Sequence, residues 1–407
     1  MMSSFIKEYK LNQQTPLIHF QYNELGATLR ATEVKPKLDR FISEKVHIPE
    51  EWILKSGDEN DSGKSSALNY KMKIVSNDVE TVDLGFKTDY DIFYGNMGDN
   101  IKKGVMCKDI TLTIICKIPK LMETIDENIS EFLIVENFGT MQSKGFGSFT
   151  VDGAKLDSNS IANALKNRYG SRTCYKFKSG DTPFNRKTAF KRIKTFYGIM
   201  KSGVNFGGYQ KSLLFIYLSD KKIDNEKSYL KQSEMAPRLT KKGLDSSPVS
   251  LNPNSNYHYV RALLGVGDHI DFKNDNGQSD EQKNDKTEIK FINNEIKRLN
   301  SPIFFKIVGD DVYMVAKRIN SKIYEKSFDF TAEPKRDKKA PKIRNFTPKK
   351  TSAVLTVPKE SDIGSEFIDD FLDFCVGCFN GEIKHPKVGN DILHFRDIKG
   401  IRISEVK

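Results

Sequence analysis

The sequence has 407 residues and a formal net charge of +11, with 38% hydrophobic, 11% aromatic and 29% charged residues. No apolar run approaches the roughly 18 residues of a membrane span, the first residues lack the apolar core of a signal peptide, and five cysteines do not fit a disulfide framework. We therefore expect a cytoplasmic chain of two domains with no membrane partner and with an acidic partner, of which nucleic acid is the commonest.

The first 155 residues show the order strand, helix, strand, strand, helix, strand. Alternating polarity predicts the first strand, and apolar residues at helical spacing after Pro36 predict the first helix. In chain order the predicted elements lie at 17–22, 36–46, 67–75, 105–118, 121–138 and 146–151. This is the split β-α-β layout of a ferredoxin-like, RRM-like domain (βαββαβ), which we predict for residues 1–155.

A second α+β domain of the same ferredoxin-like type is predicted, more faintly, for residues 156–330. Its strands are expected at 173–177, 212–218 and 257–264, its helices at 186–200 and 288–299, and a closing hairpin at 302–318. Polar insertions at 220–255 and 271–287 are interpreted as mobile or partner-ordered segments. Residues 331–352 are interpreted as a basic linker, and residues 353–407 as a C-terminal extension with an amphipathic helix and a tail.

The loop from Gly139 to Phe149 combines several glycines with one lysine directly before a predicted strand. Backbone without Cβ atoms can approach a phosphate closely, and a lysine adds positive charge, so the loop is a candidate phosphate cradle. A strained turn before a strand also favours glycine, and this alternative stays open. The candidate contact residues in the loop are Gly139, Gln142, Ser143, Lys144, Gly145, Phe146 and Gly147.

A nearly acid-free stretch follows the loop. Between Ser158 and Ser219 the sequence has twelve lysines or arginines and a single acid, Asp181. A helix here would present a basic face to a nucleic acid, while its aromatic residues are better explained by core packing than by base stacking. The candidate nucleic-acid-binding residues of the stretch are Arg168, Arg186, Lys187, Lys191, Arg192 and Lys194.

A third basic group, Arg30, Lys35 and Lys37, lies near the start of the first predicted helix. Helix N-termini bind anions through free N–H groups, which makes these residues candidates for phosphate contacts. The alternative is that Glu33 and Asp39 neutralise them in local ion pairs.

Four segments together resemble the RAMP superfamily of CRISPR-associated proteins. They are Thr15-Pro16-Leu17 opening a strand, Gly26 to Arg30 leading into a helix, the Gly139 to Phe149 loop, and Arg298 to Pro302 entering a late strand. The resemblance covers residues 14–152 and 296–319 and is strongest to the two-domain subunit at the guide 3′ end of the type III-B Cmr effector complex. It implies a ribonucleoprotein of antiviral defence whose partners are guide RNA, target RNA and other effector subunits.

The same resemblance implies roles for individual residues. Gly139, Ser143, Lys144, Gly145 and Gly147 would hold the RNA backbone, with Arg30 nearby. Some members of the superfamily cut guide precursors through histidine, so His19 is the alternative catalytic residue, although a partly buried, hydrogen-bonded histidine is the better interpretation.

Two further groups have weaker chemical interpretations. Asp268-His269-Ile270-Asp271 resembles half of a catalytic or metal constellation. A zinc site from Cys375, Cys378, His385 and His394 is conceivable, but both cysteines fall on the apolar face of a predicted helix, which favours core packing. The sequence has no Walker loop, dinucleotide fingerprint or GxSxG motif, so we predict no cofactor and no metal. The prediction is a noncatalytic RNA-binding subunit. The alternatives are a metal-independent guide-precursor endoribonuclease that acts through His19 and a protein-binding scaffold.

Overall fold

The computed structural model describes residues 5–19, 27–54, 67–84, 90, 103–180, 182, 186–205, 209–236, 239–240, 243–244, 251, 254–267, 269–273, 286–335, 349–388 and 401–406. The chain is a mixed α/β protein with antiparallel sheets. It forms two compact units. Unit 1 comprises Met1–Thr195, Ile303–Lys317 and Asp397–Lys407, and unit 2 comprises Phe196–Pro302 and Arg318–Arg396. The predicted domain limits at residues 155, 330 and 352 stay a prediction.

The helices are α1 (Ala31–Lys45), α2 (Pro119–Val135), α3 (Ser158–Tyr169), α4 (Lys187–Lys201), α5 (Leu213–Asp220), α6 (Glu226–Gln232), α7 (Glu360–Ile363) and α8 (Phe367–Phe379). The strands are β1 (Ile6–Gln13), β2 (Lys71–Asp83), β3 (Lys103–Ile115), β4 (Phe149–Val151), β5 (Cys174–Lys178), β6 (Val204–Asn205), β7 (Tyr209–Gln210), β8 (Asp224–Asn225), β9 (Leu239–Thr240), β10 (Gly243–Leu244), β11 (Tyr257–His258), β12 (His269–Lys273), β13 (Lys286–Ile292), β14 (Ile303–Val308), β15 (Asp311–Ala316), β16 (Ser327–Lys335), β17 (Ser352–Thr356) and β18 (Ser404–Glu405). Short 3-10 helices cover Glu50–Trp52, Val260–Leu264 and Ser321–Ile323. Among the described helices, none combines the length and the apolar character needed to cross a membrane.

The first sheet of unit 1 has the strand order β2-β3-β1-β4, and every neighbouring pair is antiparallel. Residues alternate across β1, where Tyr9 and Leu11 are buried while Glu8 and Lys10 are exposed. The buried side belongs to one core with the apolar faces of α1 and α2. In α1, for example, the buried apolar residues recur at helical intervals and so form one face of the helix. They are Val34, Leu38, Phe41 and Ile42.

The second sheet of unit 1 has the order β14-β15-β5-β18, again antiparallel throughout. Helix α3 packs against α2, β5 and β15. Its start is capped by Asp157, whose side chain accepts hydrogen bonds from the backbone N–H groups of Asn159 and Ser160, and its end by Gly170 in the left-handed conformation. Helix α3 was not among the elements predicted from the sequence.

Unit 2 contains the antiparallel sheet β12-β13-β16-β17 and, separately, the packed pair α5 and α8. In the sheet region, Tyr259 lies 5.0 to 5.1 Å between ring centroids from Phe291, Phe328 and Phe330. Against α8, the Tyr217 ring lies 5.2 Å from that of Phe374. Helix α8 confirms the predicted amphipathic C-terminal helix.

Several predicted elements are wrong. The first strand is Ile6–Gln13, while Leu17 forms only an isolated bridge with Val105, and residues 20–22 lie outside the described part. Residues 213–220 form helix α5, although a strand was predicted at 212–218. The Ser212 side chain caps this helix by accepting a hydrogen bond from the N–H of Phe215. Residues 286–292 form strand β13, although a helix was predicted at 288–299. Ile289 and Phe291, at alternate positions of this strand, are both buried.

Smaller corrections concern the remaining elements. Residues 257–264 form a two-residue strand and a 3-10 helix rather than one strand, and Pro36 lies inside α1 rather than at its start. The insertion at 220–255 contains helix α6, capped by the Asn225 side chain at the N–H of Ser228. The segment read as a linker at 331–352 begins with the end of β16, and its residues 336–348 lie outside the described part.

Candidate nucleic-acid interface

Two glycines of the Gly139–Phe149 loop, Gly139 and Gly147, are required by close backbone packing. Gly139 has a φ of 74°, and a Cβ there would lie 2.4 Å from the Ile18 carbonyl oxygen. Gly147 has a φ of 64°, and its Cβ would lie 1.9 Å from the Phe138 oxygen. Both positions therefore exclude any side chain, whether or not a ligand approaches.

The backbone N–H groups of the loop are largely engaged within the chain. Gly139 donates to the Glu33 carboxylate at 2.6 Å, Thr140 to Ile18 O at 2.7 Å, Lys144 to Met141 O at 2.9 Å, Gly145 to Gln142 O at 3.2 Å and Gly147 to Pro16 O at 2.9 Å. A phosphate cradle made from the amides of Lys144 and the three glycines is therefore not the arrangement in this structure. The side chains of residues 141–144 are partly exposed, although the Nζ atom of Lys144 is buried, and residues 145–147 are buried.

Two residues that were not predicted from the sequence, Asn137 and Lys306, anchor the base of the loop. The Asn137 side-chain amide donates to Gln142 O at 2.7 Å and to Phe305 O at 3.0 Å. Fully buried Lys306 donates from Nζ to Asn137 Oδ1 at 3.1 Å, to Leu133 O at 2.7 Å and to Glu136 O at 2.8 Å. Burial lowers the pKa of Lys306 well below its usual value. In the sequence, the position of Lys306 as a single lysine inside the apolar run Ile303–Val308 was the sign that could have indicated this role.

The loop and helix α4 are joined by aromatic stacking. The Phe146 ring lies on the Phe190 ring with centroids 4.4 Å apart and an interplanar angle of 24°. Both rings are fully buried, as is Phe196, so the expectation that the aromatics of this stretch pack in the core is confirmed for these residues. Phe184 lies outside the described part. The structure thus brings together the glycine loop and the basic helix, which were separate signals in the sequence.

The outer side of α4 carries a lysine stripe, which we define as Lys187, Lys191 and Lys194. These residues recur at i, i+4 and i+7, so they share one face, and all three are at least partly exposed. The buried face lies opposite and consists of Ala189, Phe190, Ile193, Phe196, Ile199 and Met200. Because α4 contains no acidic residue, the stripe has a single sign of charge along the helix.

Other basic residues near α4 have structural contacts. Arg186 is 1% exposed; its guanidinium donates to Ser179 Oγ at 2.8 Å and to Gly309 O at 2.9 Å. Arg192 donates to the Lys178 carbonyl. Lys201 donates to Leu264 O and Gly265 O, and burial lowers its pKa to about 7. The buried Arg186 does not reach the surface, so we leave it out of the interface.

The basic residues around α1 are engaged with neighbours inside unit 1. Lys35 Nζ lies 2.7 Å from Asp39 Oδ2, as the ion-pair alternative anticipates. Lys37 Nζ donates to Asn137 O at 2.8 Å and to Gln142 Oε1 at 3.2 Å, and burial lowers its pKa. Arg30 is the N-cap residue of α1, and Glu33 fills the first turn of that helix. The helix start therefore already holds a carboxylate.

Arg168 is similarly occupied. Its guanidinium contacts Glu44 and lies 2.9 Å from Glu136 Oε1, and these carboxylates raise its pKa despite desolvation. The contacts connect the end of α3 to α1 and to the end of α2. We therefore assign Arg168 a structural role first, because an RNA phosphate would have to displace two carboxylates.

Among the described residues, neither His19 nor the cysteines and histidine of the conceivable zinc site assemble into a catalytic or metal site. His19 Nε2 lies 2.8 Å from Thr28 O and the residue is partly buried. Cys375 and Cys378 are buried in α8, and burial raises the pKa of Cys378 to about 11 and that of Cys375 well above its usual value. His385 pairs with Asp220 at 2.9 Å, and His394 lies outside the described part.

Two family models match the chain and show the family to which it belongs. One described as Cmr1 N-terminal domain matches residues 5–204, and one described as Cmr1 C-terminal domain matches residues 209–400. The chain belongs to the Cmr1 family. It is thus a RAMP protein of the type III-B effector subunits, as the resemblance implied.

Two solved structures are similar to this Cmr1-family chain at low identity. The crystal structure of Cmr1 from Pyrococcus furiosus in its apo form is 10% identical, with 86% of this chain and 93% of that chain covered and a TM-score of 0.35. A chain of the type III-B Cmr-beta complex bound to cognate target RNA and AMPPnP is 12% identical, with 90% and 98% covered and a TM-score of 0.30. No curated protein matches the chain.

Proposed function

We propose that this Cmr1-family chain is a noncatalytic RNA-binding subunit of a type III CRISPR effector, and that guide or target RNA lies along the lysine stripe of α4. The observation that carries the proposal is the Phe146–Phe190 stack, which fixes the glycine loop to the buried side of α4 while the stripe faces outward. RNA and the other effector subunits would be its partners in antiviral defence.

The contacts in this proposal come from side chains. Lysine ammonium groups on one helical face match the regular negative charge of a nucleic-acid backbone and do not require a base sequence. At the tip of the loop, the partly exposed Gln142 and Ser143 would add polar contacts, whereas the Nζ atom of Lys144 is buried. The buried residues Phe146, Gly147 and Arg186 would position this surface without touching RNA.

The fold supports the finer architectural proposal for the first domain. We infer a ferredoxin-like domain over residues 6–151, because the order β2-β3-β1-β4 with α1 and α2 as connections follows the split β-α-β layout. A second ferredoxin-like domain remains a prediction, and helix α5 and strand β13 replace elements that it requires.

The test reverses the charge of the stripe. A variant with Lys187→Glu, Lys191→Glu and Lys194→Glu should bind single-stranded RNA at least about tenfold more weakly at 0.15 M salt, and its log Kd versus log salt slope should fall by about 2, because each lost phosphate contact removes about 0.7 from the slope. Fluorescence anisotropy with labelled guide RNA measures both quantities.

The matched control places the same charge change elsewhere in unit 1. Lys71, Lys73 and Lys103 are exposed on β2 and β3, and their triple change to Glu should leave the salt slope nearly unchanged. Equal loss in both triple variants would show that net charge, rather than the stripe, governs binding, and would overturn the proposal. Circular dichroism establishes that both variants are folded.

The two alternative functions give distinct results. Metal-independent cleavage of labelled repeat RNA that disappears in His19→Ala would establish the endoribonuclease. Assembly into the effector with no cross-links from this chain to RNA would establish the scaffold. The hydrogen bond of His19 to the Thr28 carbonyl supports neither a free general acid nor a free general base.

A further inference from the structure

Strand pairing in unit 2 completes a group of metal-binding residue types. In the β12–β13 pair, Asp271 lies directly opposite Glu288, and His269 is two residues along the same face of β12. His269 Nε2 lies 3.8 Å from Asp271 Oδ1 and 4.0 Å from Glu288 Oε2. One ligand atom from each of the three residues lies within 4.8 Å of the other two.

The position of Glu288 is unusual for a carboxylate. Its side chain is only 7% exposed, although it faces another carboxylate across the strand pair, an arrangement that is destabilising unless positive charge compensates it. Lys290 Nζ is 4.0 Å from Glu288 and closer, at 2.7 Å, to Glu333. The positive charge near Glu288 includes Lys290 and His269, each 4.0 Å from its carboxylate.

We propose that His269, Asp271 and Glu288 bind one divalent transition-metal ion, Zn²⁺ in the first instance. One imidazole nitrogen and two carboxylate oxygens form a mixed set that suits zinc, and three protein ligands leave a fourth position for water. The hard ions Mg²⁺ and Ca²⁺ favour sites made only of oxygen. The ion would neutralise the opposed carboxylates at the point where the strand pairing places them.

The site needs a small closure around the ion. Tetrahedral ligand atoms at zinc distances are about 3.3 Å apart, so the widest gap must shrink by about 1.5 Å. Side chains of His269 and Asp271 are 30% and 33% exposed, and rotation about their χ angles can supply this movement while buried Glu288 stays in place. The bound ion would cross-link the edge strand β12 to β13.

The sequence contained only half of this arrangement. Asp268-His269-Ile270-Asp271 suggested ligands without a third partner, and Asp268 lies outside the described part. Glu288 was assigned to a predicted helix, where it could not have been placed opposite Asp271. The antiparallel register of β12 and β13 supplies what was missing.

Zinc titration of the untagged, chelator-treated chain tests the proposal. Isothermal calorimetry should give one Zn²⁺ per chain, and saturating Zn²⁺ should raise the melting temperature because the ion binds only the folded sheet. His269→Ala and the near-isosteric Asp271→Asn should each weaken binding at least tenfold and abolish the thermal shift. Both residues are partly exposed, so we expect both variants to fold, which circular dichroism checks.

Two control variants separate this site from other zinc ligands of the chain. His385→Ala removes a histidine that pairs with Asp220, and the double variant Cys375→Ala, Cys378→Ala removes the thiols of α8. Both should bind Zn²⁺ as the parent does. The proposal is overturned by absence of binding, by unchanged affinity in Asp271→Asn and His269→Ala, or by loss of binding in either control. Because no RNA is used, the result is independent of the proposed function.

Discussion

Gly147 and Gly153 have similar positive φ angles, 64° and 70°, but very different surroundings. A Cβ at Gly147 would lie 1.9 Å from the Phe138 carbonyl oxygen, whereas nothing lies within 4 Å of one at Gly153. The pair therefore separates the cost of a left-handed conformation from the cost of a steric clash.

We expect Gly153→Ala to lower the free energy of unfolding by about 1 kcal/mol, the cost of a left-handed alanine. Gly147→Ala should lower it by more than about 3 kcal/mol, since the backbone of Phe138 must also move. Urea denaturation followed by circular dichroism measures both values. Equal effects would mean that the Gly147 contact is relieved without cost.

At this scale, the sequence predicted where the loop lies but not what its glycines do. Their spacing was consistent with both a cradle and a strained turn, and the close approach of Gly139 to Ile18 decides for packing in this structure. The anchors Asn137 and Lys306 were not predictable from local pattern, because they meet across 169 positions of sequence.

At the scale of elements, α8 shows how an apolar helical face explains residues that suggest a metal site. Cys375 is 0% exposed and Cys378 3% exposed, and they share the buried side with Phe371. Because burial raises the pKa of both thiols, few thiolates are present at neutral pH.

We accordingly expect both α8 thiols to resist alkylation in the folded chain. At pH 8, iodoacetamide should modify Cys375 and Cys378 at least about a hundredfold more slowly before than after unfolding in guanidinium, because burial and the raised pKa both suppress the reactive thiolate. Mass spectrometry of peptides follows each site. Rapid modification of the native chain would show that α8 does not bury these residues in solution.

Amphipathic helices were the elements best predicted from sequence, because their apolar residues recur over three or more turns. Helices α1, α2, α4 and α8 all lie near their predicted positions. The error at 288–299 has a physical source: Ile292, Ile296 and Leu299 have helical spacing, yet Ile292 is 59% exposed at the end of β13. Short strands whose register is set by a distant partner strand have too few residues to show a periodic pattern from which they could be predicted.

At the scale of the whole molecule, the local sequence pattern does not predict which distant segments join the same unit. The chain leaves unit 1 after Thr195 and returns to it at Ile303–Lys317, where β14 and β15 complete the sheet that contains β5. The match to the Cmr1 N-terminal domain ends at residue 204 and does not include this hairpin. Unit 1 therefore includes segments that are far apart in the sequence.

A fragment of residues 1–204 should consequently be destabilised. It lacks Phe304 and Ile307, which are buried in unit 1, and the Lys306 contacts to Leu133 and Glu136. Joining residues 302–318 to its end through a flexible linker should restore a cooperative thermal transition. Matched melting curves of both fragments provide the measurement, and a linker joined to the scrambled hairpin sequence provides the control. A cooperative transition in the unmodified fragment would contradict the expectation.

The returning hairpin also has a consequence for synthesis on the ribosome. Strand β5 pairs with β15, whose first residue follows the end of β5 by roughly 130 positions. At translation rates of 5 to 20 residues per second, β5 emerges about 7 to 27 seconds before its partner exists. During that interval the apolar side chains of Cys174 and Phe177 have no hairpin to cover them. The nascent chain thus passes through a stage in which chaperones have an exposed strand to bind.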